Sequence, residues 1–111
     1  MSHDVYLLDP VSGEPLQLDS PHQMKGGTYA LGGCLEAHLN VTYNYSEHFQ
    51  VTTIYGLTGA DSIPVLQAAA DRLGDDVDPD YWKPTEGNVK RAILQLLALA
   101  KMRPDGVWGG D

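Results

Sequence analysis

A chain of 111 residues, 42% apolar and 20% charged, is long enough for one hydrophobic core, so a single domain spanning residues 1–111 is expected. Fifteen Asp and Glu against seven Lys and Arg give a formal charge of −8, which argues against direct nucleic-acid binding and against docking on an anionic membrane. The apolar run "AILQLLALA" is too short for a membrane span and carries Gln95, the N-terminus has no secretory pattern, and the one cysteine, Cys34, has no internal partner for a disulfide. A cytoplasmic protein is therefore expected.

"DVYLLDPVSGEPLQLD" reads as a hairpin, with short apolar runs at Val5 to Leu8 and Pro15 to Leu18 around Pro10, Ser12 and Gly13. "PHQMKGGTYALGG" follows, and its glycine pairs mark a loop or a short strand between two bends. Residues 35–46 alternate without interruption. Leu35, Ala37, Leu39, Val41, Tyr43 and Tyr45 face one way, and Glu36, His38, Asn40, Thr42, Asn44 and Ser46 the other, which predicts one strand with its odd-numbered side in the core. "FQVTTIYG", rich in β-branched residues, predicts a further strand.

The second half changes period. Ser62 as a cap, Pro64 in the first turn and Gly74 as a stop predict a short amphipathic helix over 62–73. After the acidic loop "DDVDPDYWKP", Thr85 caps a long helix to Met102 that Pro104 and Gly106 stop. Val89, Ala92, Ile93, Leu96, Leu97, Leu99 and Ala100 leave it only a narrow polar stripe, so it should be largely buried. The expected fold class is α+β: an antiparallel sheet from the N-terminal half, packed by two C-terminal helices.

Few patterns carry chemistry. Cys34 and His38 on one extended strand would be roughly 13 Å apart, too far for a thiolate–imidazolium pair, and a structural cysteine is the plainer reading. His3, His22, His38 and His48 lack the short paired spacings of zinc sites. The acidic loop fails as a calcium loop because Tyr81 and Gly87 stand where a glycine and a bidentate Glu are required. No metal, cofactor or catalytic group is thus expected, and a non-enzymatic protein is favoured over an enzyme.

The polar side of residues 36–46 is unusual for an exposed sheet face, because Asn is depleted in strands. His38, Asn40, Thr42 and Asn44 offer imidazole, amide and hydroxyl groups at about 6.6 Å intervals, a spacing suited to recognising a polar small molecule. Asn88 could turn its amide outward at the helix start, although a role in the cap is the plainer reading. Lys25, Lys90 and Arg91 are the cations available to an anionic group.

"GGTYALGG", "LNVTYNYSEHF", "LTGADSIPVLQAA" and "YWKPTEGNVKRAILQLLALAKMRPDGVWGGD" resemble a family of small proteins encoded by bacteriophages and prophages, over nearly the whole chain. The resemblance implies a genomic setting, the bacterial host cell, and carries over no catalytic residue. Counter-defence is an analogy with other small acidic phage proteins. Two functions follow as expectations. One is a binding protein for a nucleotide-like polar molecule, using His38, Asn40, Thr42, Asn44, Lys25, Asn88 and Arg91. The other is an acidic protein–protein blocker or nucleic-acid mimic that inhibits a host defence protein. In either case a site shared between subunits of a homo-oligomer is expected, since so small a domain has little surface for a deep pocket.

Overall fold

The computed structural model of the chain describes residues 1–24 and 34–111. The expected loop over the glycine pairs, and with it Lys25, lies outside the described residues. Strands β1 (Ser2–Leu8), β2 (Gln17–His22), β3 (Cys34–Glu36) and β4 (His38–Thr42) are followed by helices α1 (Gly59–Asp71) and α2 (Glu86–Met102), and then by β5 (Val107–Gly110). The fold is α+β, with antiparallel strands in the N-terminal half and a long final helix.

β1 is the centre of a three-stranded sheet ordered β4-β1-β5, both pairings antiparallel. Val5 stands opposite Leu39, and Leu7 opposite Trp108, so these apolar residues share one face. One hydrophobic cluster joins that face to Leu66 and Ala70 of α1 and to Val89, Ile93 and Leu96 of α2. Each fully buried Leu or Ile side chain contributes about 1.5–3 kcal/mol by leaving water.

The hairpin survives only next to its turn. Leu8 bridges Pro15, Gly13 takes a φ of 74°, and the Asp9 carboxylate accepts from the Val11 and Ser12 amides. β2 then leaves β1 and pairs with β3 in a separate two-stranded sheet.

The single strand expected over 35–46 is three segments. Ala37, fully buried, interrupts it: its N–H donates to Leu16 O (2.8 Å) and its carbonyl accepts from Leu7 N (2.9 Å). The chain thereby leaves the β2–β3 sheet and enters the central one. Beyond Thr42 it winds into a 3₁₀ turn, Tyr43–Tyr45, whose start is capped by Thr42 Oγ1 accepting from Asn44 N at 3.2 Å.

The strand expected in "FQVTTIYG" is also corrected. Val51–Ile54 is a 3₁₀ turn. Its two buried residues, Val51 and Ile54, are three apart, which matches a three-residue turn and not a pleat. Local β-propensity loses here to the packing of those two side chains.

α1 begins before Ser62. Thr58 is its cap, accepting from Asp61 N at 3.0 Å, and Ser62 sits buried inside the first turns. α2 starts and stops where the sequence indicates, with Thr85 accepting from Asn88 N at 3.2 Å. The two helices form an antiparallel pair. Gly59 at the start of α1 lies against Arg103 and Pro104 beyond the end of α2, while Lys90 near the start of α2 donates to Leu73 O at 3.4 Å.

Candidate functional site

The register of β1 on β4 sets Ser2, Asp4 and Tyr6 opposite Thr42, Asn40 and His38. These six therefore share the sheet face that Val5, Leu7, Leu39 and Val41 do not use. Asp4 is its centre. One oxygen, Oδ1, accepts from Asn40 Nδ2 at 2.9 Å and from His38 Nε2 at 3.0 Å. Donation from Asn40 foremost, then from His38, holds the Asp4 carboxyl below its usual range, against an opposing push from partial burial. Its side chain is 39% exposed, so solvent screens much of this effect.

Because the carboxylate only accepts, the His38 proton of this hydrogen bond lies on Nε2, and in the neutral ring Nδ1 keeps the lone pair. Tyr6 stacks on the imidazole with centroids 4.1 Å apart and planes 12° from parallel. His38, Asn40 and Thr42 are 9%, 2% and 1% exposed. Asn44 remains exposed and donates from Nδ2 to Trp82 O at 2.9 Å. The polar stripe is thus turned inward: His38 and Asn40 bind Asp4, Thr42 caps the next turn, and Asn44 ties down the 81–83 loop. One acceptor is left over, since the buried Asn40 Oδ1 has no partner among the described residues.

The interruption at Ala37 has a second effect. A straight strand would keep Cys34 and His38 roughly 13 Å apart. Instead, ligand-bearing atoms of Cys34, Glu36 and His38 lie within 4.8 Å of one another. The expected separation is therefore corrected, and its cause is the change of sheet between Glu36 and His38. Cys34 Sγ approaches Glu36 O at 3.5 Å, and the same oxygen accepts from His22 Nε2 at 3.0 Å. His22 Nδ1 accepts from Met24 N at 3.2 Å, which fixes the His22 proton on Nε2. No local signal marks Ala37 as the point of interruption, so spacing alone could not have found this cluster.

The remaining candidates lie elsewhere. Asn88, 1% exposed, accepts from Asp78 N (3.2 Å) and donates to Asp80 O (3.2 Å) and Lys83 O (3.0 Å). Its amide is spent on anchoring the acidic loop over the start of α2. Arg91 is half-buried beside the Tyr45 hydroxyl, which donates to Tyr81 O. Burial pushes the Tyr45 phenol up, and Arg91 opposes this.

Arg91 also lines a groove of about 300 Å³ with Lys90, Asp75, Val77, Leu94 and Gln95. Val77 and Leu94 are 58% and 43% exposed, so the groove offers apolar surface to solvent. Lys90 Nζ is 2.9 Å from Asp75 Oδ1, whose side chain is 88% exposed. Gln95 Oε1 is buried with no partner among the described residues. Two further grooves, one beside Leu18–Ser20 and Arg103, the other between Phe49 and α1, also leave out residues 38–44.

No helix among the described residues is long and apolar enough to cross a membrane. Comparison with family models, with curated proteins and with solved structures gives no match.

Proposed function

We propose that the protein is a non-enzymatic binding module for a nucleotide-like small molecule, seated in the Lys90–Arg91 groove and not on the polar face of β4. The observation that carries this reading is Gln95 Oε1, buried and without a partner among the described residues, on a side chain that lines the groove with Lys90 and Arg91. A buried acceptor without a donor costs about 1–3 kcal/mol, which a ligand N–H or O–H would recover once the Gln95 side chain rotates toward the groove. Arg91 and Lys90 would take a phosphate or carboxylate, and Val77 and Leu94 the apolar body. Lys90 is held by an ion pair to an exposed Asp75, worth less than about 1 kcal/mol, and by a long hydrogen bond to Leu73 O at 3.4 Å, so its exchange for a ligand anion costs little. In the phage setting that the sequence resembles, such a module would sequester a signalling nucleotide of the host.

The test is native mass spectrometry of the purified protein, then calorimetry against a nucleotide panel. A bound nucleotide in fixed ratio, with affinity reduced about tenfold or more in Lys90→Ala, supports the reading. Absence of binding at millimolar nucleotide ends it.

A further inference from the structure

We propose that Cys34, Glu36 and His38 form a zinc(II) site with an open fourth position. The three donors come from β3 and the first residue of β4, and the turn of the chain at Ala37 brings them within 4.8 Å of one another. Among the described residues they are the group in which three such donors meet. Tetrahedral zinc, with bonds of about 2.0–2.3 Å, needs donors roughly 3.3–3.8 Å apart. Each pair therefore has to close by at most about 1.5 Å, within reach of side-chain rotation. Ala37 holds the backbone for this from both sides, through its bonds to Leu16 and Leu7.

The donor chemistry selects the ion. A thiolate with an imidazole disfavours Mg²⁺ and Ca²⁺, which want oxygen alone, and the carboxylate disfavours Cu(I). Thiolate and carboxylate together carry −2, so Zn²⁺ makes a neutral site, as suits residues that are buried or half-buried. The Cys34 thiol loses its proton to solvent as the metal binds, and no redox change is involved.

Asp4 supplies the orientation. Its carboxylate accepts the His38 Nε2 proton at 3.0 Å and leaves Nδ1 as the ligand atom, the carboxylate–histidine–metal arrangement common behind zinc sites. Tyr6 stacked on the ring restricts its rotation. His22 is near, but both its nitrogens are engaged, with Glu36 O and Met24 N, so the fourth position falls to water or an exogenous ligand. This site does not depend on the Lys90–Arg91 groove.

The experiment is titration of chelator-treated protein with Zn²⁺ against a chromophoric chelator, paired with Co²⁺ absorption spectroscopy. One equivalent of Zn²⁺ should bind with sub-micromolar affinity, and Co²⁺ should give a thiolate charge-transfer band. Cys34→Ser should abolish that band, and both Cys34→Ser and Glu36→Gln should weaken zinc binding by roughly 100-fold. Both positions are only half-buried, and circular dichroism checks that each variant is folded. His22→Gln should retain one-to-one binding. Binding weaker than about 10 μM, or binding that Cys34→Ser leaves unchanged, overturns the site. Loss of binding in His22→Gln overturns the open fourth position.

Discussion

The indole Nε1 of Trp108 donates to Ser62 Oγ at 2.7 Å, and both residues are buried, at 1% and 0% exposure. Ser62 in turn donates to Gly59 O at 2.8 Å. This two-step chain ties the last strand to the first turns of α1. Ser62→Ala leaves the indole N–H buried without an acceptor, at a cost of about 1–3 kcal/mol. Urea denaturation should show a lower midpoint with an unchanged slope. A loss below about 0.3 kcal/mol would mean that water replaces the hydroxyl.

Gln95→Leu separates stability from binding. It removes a buried acceptor that has no partner among the described residues and substitutes an apolar group of similar size. Stability should stay level or rise by up to about 1 kcal/mol, while affinity for the groove ligand falls. A clear destabilisation would show that Gln95 already has a partner in solution.

Gly59→Ala pits helix propensity against close approach. Alanine favours a helix interior by up to about 1 kcal/mol. At Gly59, however, a Cβ would lie 2.6 Å from Arg103 O and 2.9 Å from Pro104 Cα, main-chain atoms that cannot rotate away. Overpacking of this kind costs about 1–3 kcal/mol, so thermal unfolding should come at lower temperature. Gly74→Ala is the control, because the nearest atoms to its Cβ are side-chain oxygens at 3.8 Å, and its midpoint should move by less than a degree or two.

Alkaline unfolding should involve Tyr55. Its hydroxyl donates to Asp111 O at 3.2 Å, and burial foremost, then the negative charge of Asp111, pushes its pKa up to about 12. Unfolded, the phenol ionises near 10. Between these values the folded state holds a proton that the unfolded state has released, so stability falls as pH rises from about 10 toward 12. Tyr55→Phe should flatten that decline in denaturation curves at pH 9 to 12. An unchanged slope would assign the alkaline loss to other groups, Tyr45 among them.

The competing reading as an acidic blocker separates by ionic strength. A protein docked through its surplus acids should lose affinity for its partner steeply between about 50 and 300 mM salt, as the Debye length shrinks. The Lys90–Arg91 groove, with apolar contacts and a buried amide, should lose much less. A steep salt dependence in pull-down of a basic partner, with no nucleotide bound, would favour the blocker.

Helix α2 was legible almost residue by residue. Thr85, the apolar stripe and Pro104 each act on residues within about a turn of themselves, and the structure has Thr85 as cap and Met102 as the last helical residue. Ser62 misled as a cap because its hydroxyl is used for Trp108, 46 positions away. Strand β5 is not legible locally because it is four residues long and Gly109 and Gly110 offset the strand preference of Val107 and Trp108. What admits it is contact with β1: Gly109 lies so close that a Cβ would meet Leu8 Cδ1 at 2.8 Å.

The stretch from Glu36 to Ser46 shows where the boundary falls. By itself the sequence determined the alternation, the uncharged polar groups, the α+β class and the acidic surplus, all set by neighbouring residues and composition. Only the tertiary structure decided that the alternation breaks at Ala37, that His38 and Asn40 meet on Asp4, and that Cys34 and Glu36 close on His38. The physical reason is that strand pairing is non-local. Leu7 and Leu16 bond the carbonyl and the N–H of Ala37 from 30 and 21 positions away, and no pattern within the strand records which partners it will meet.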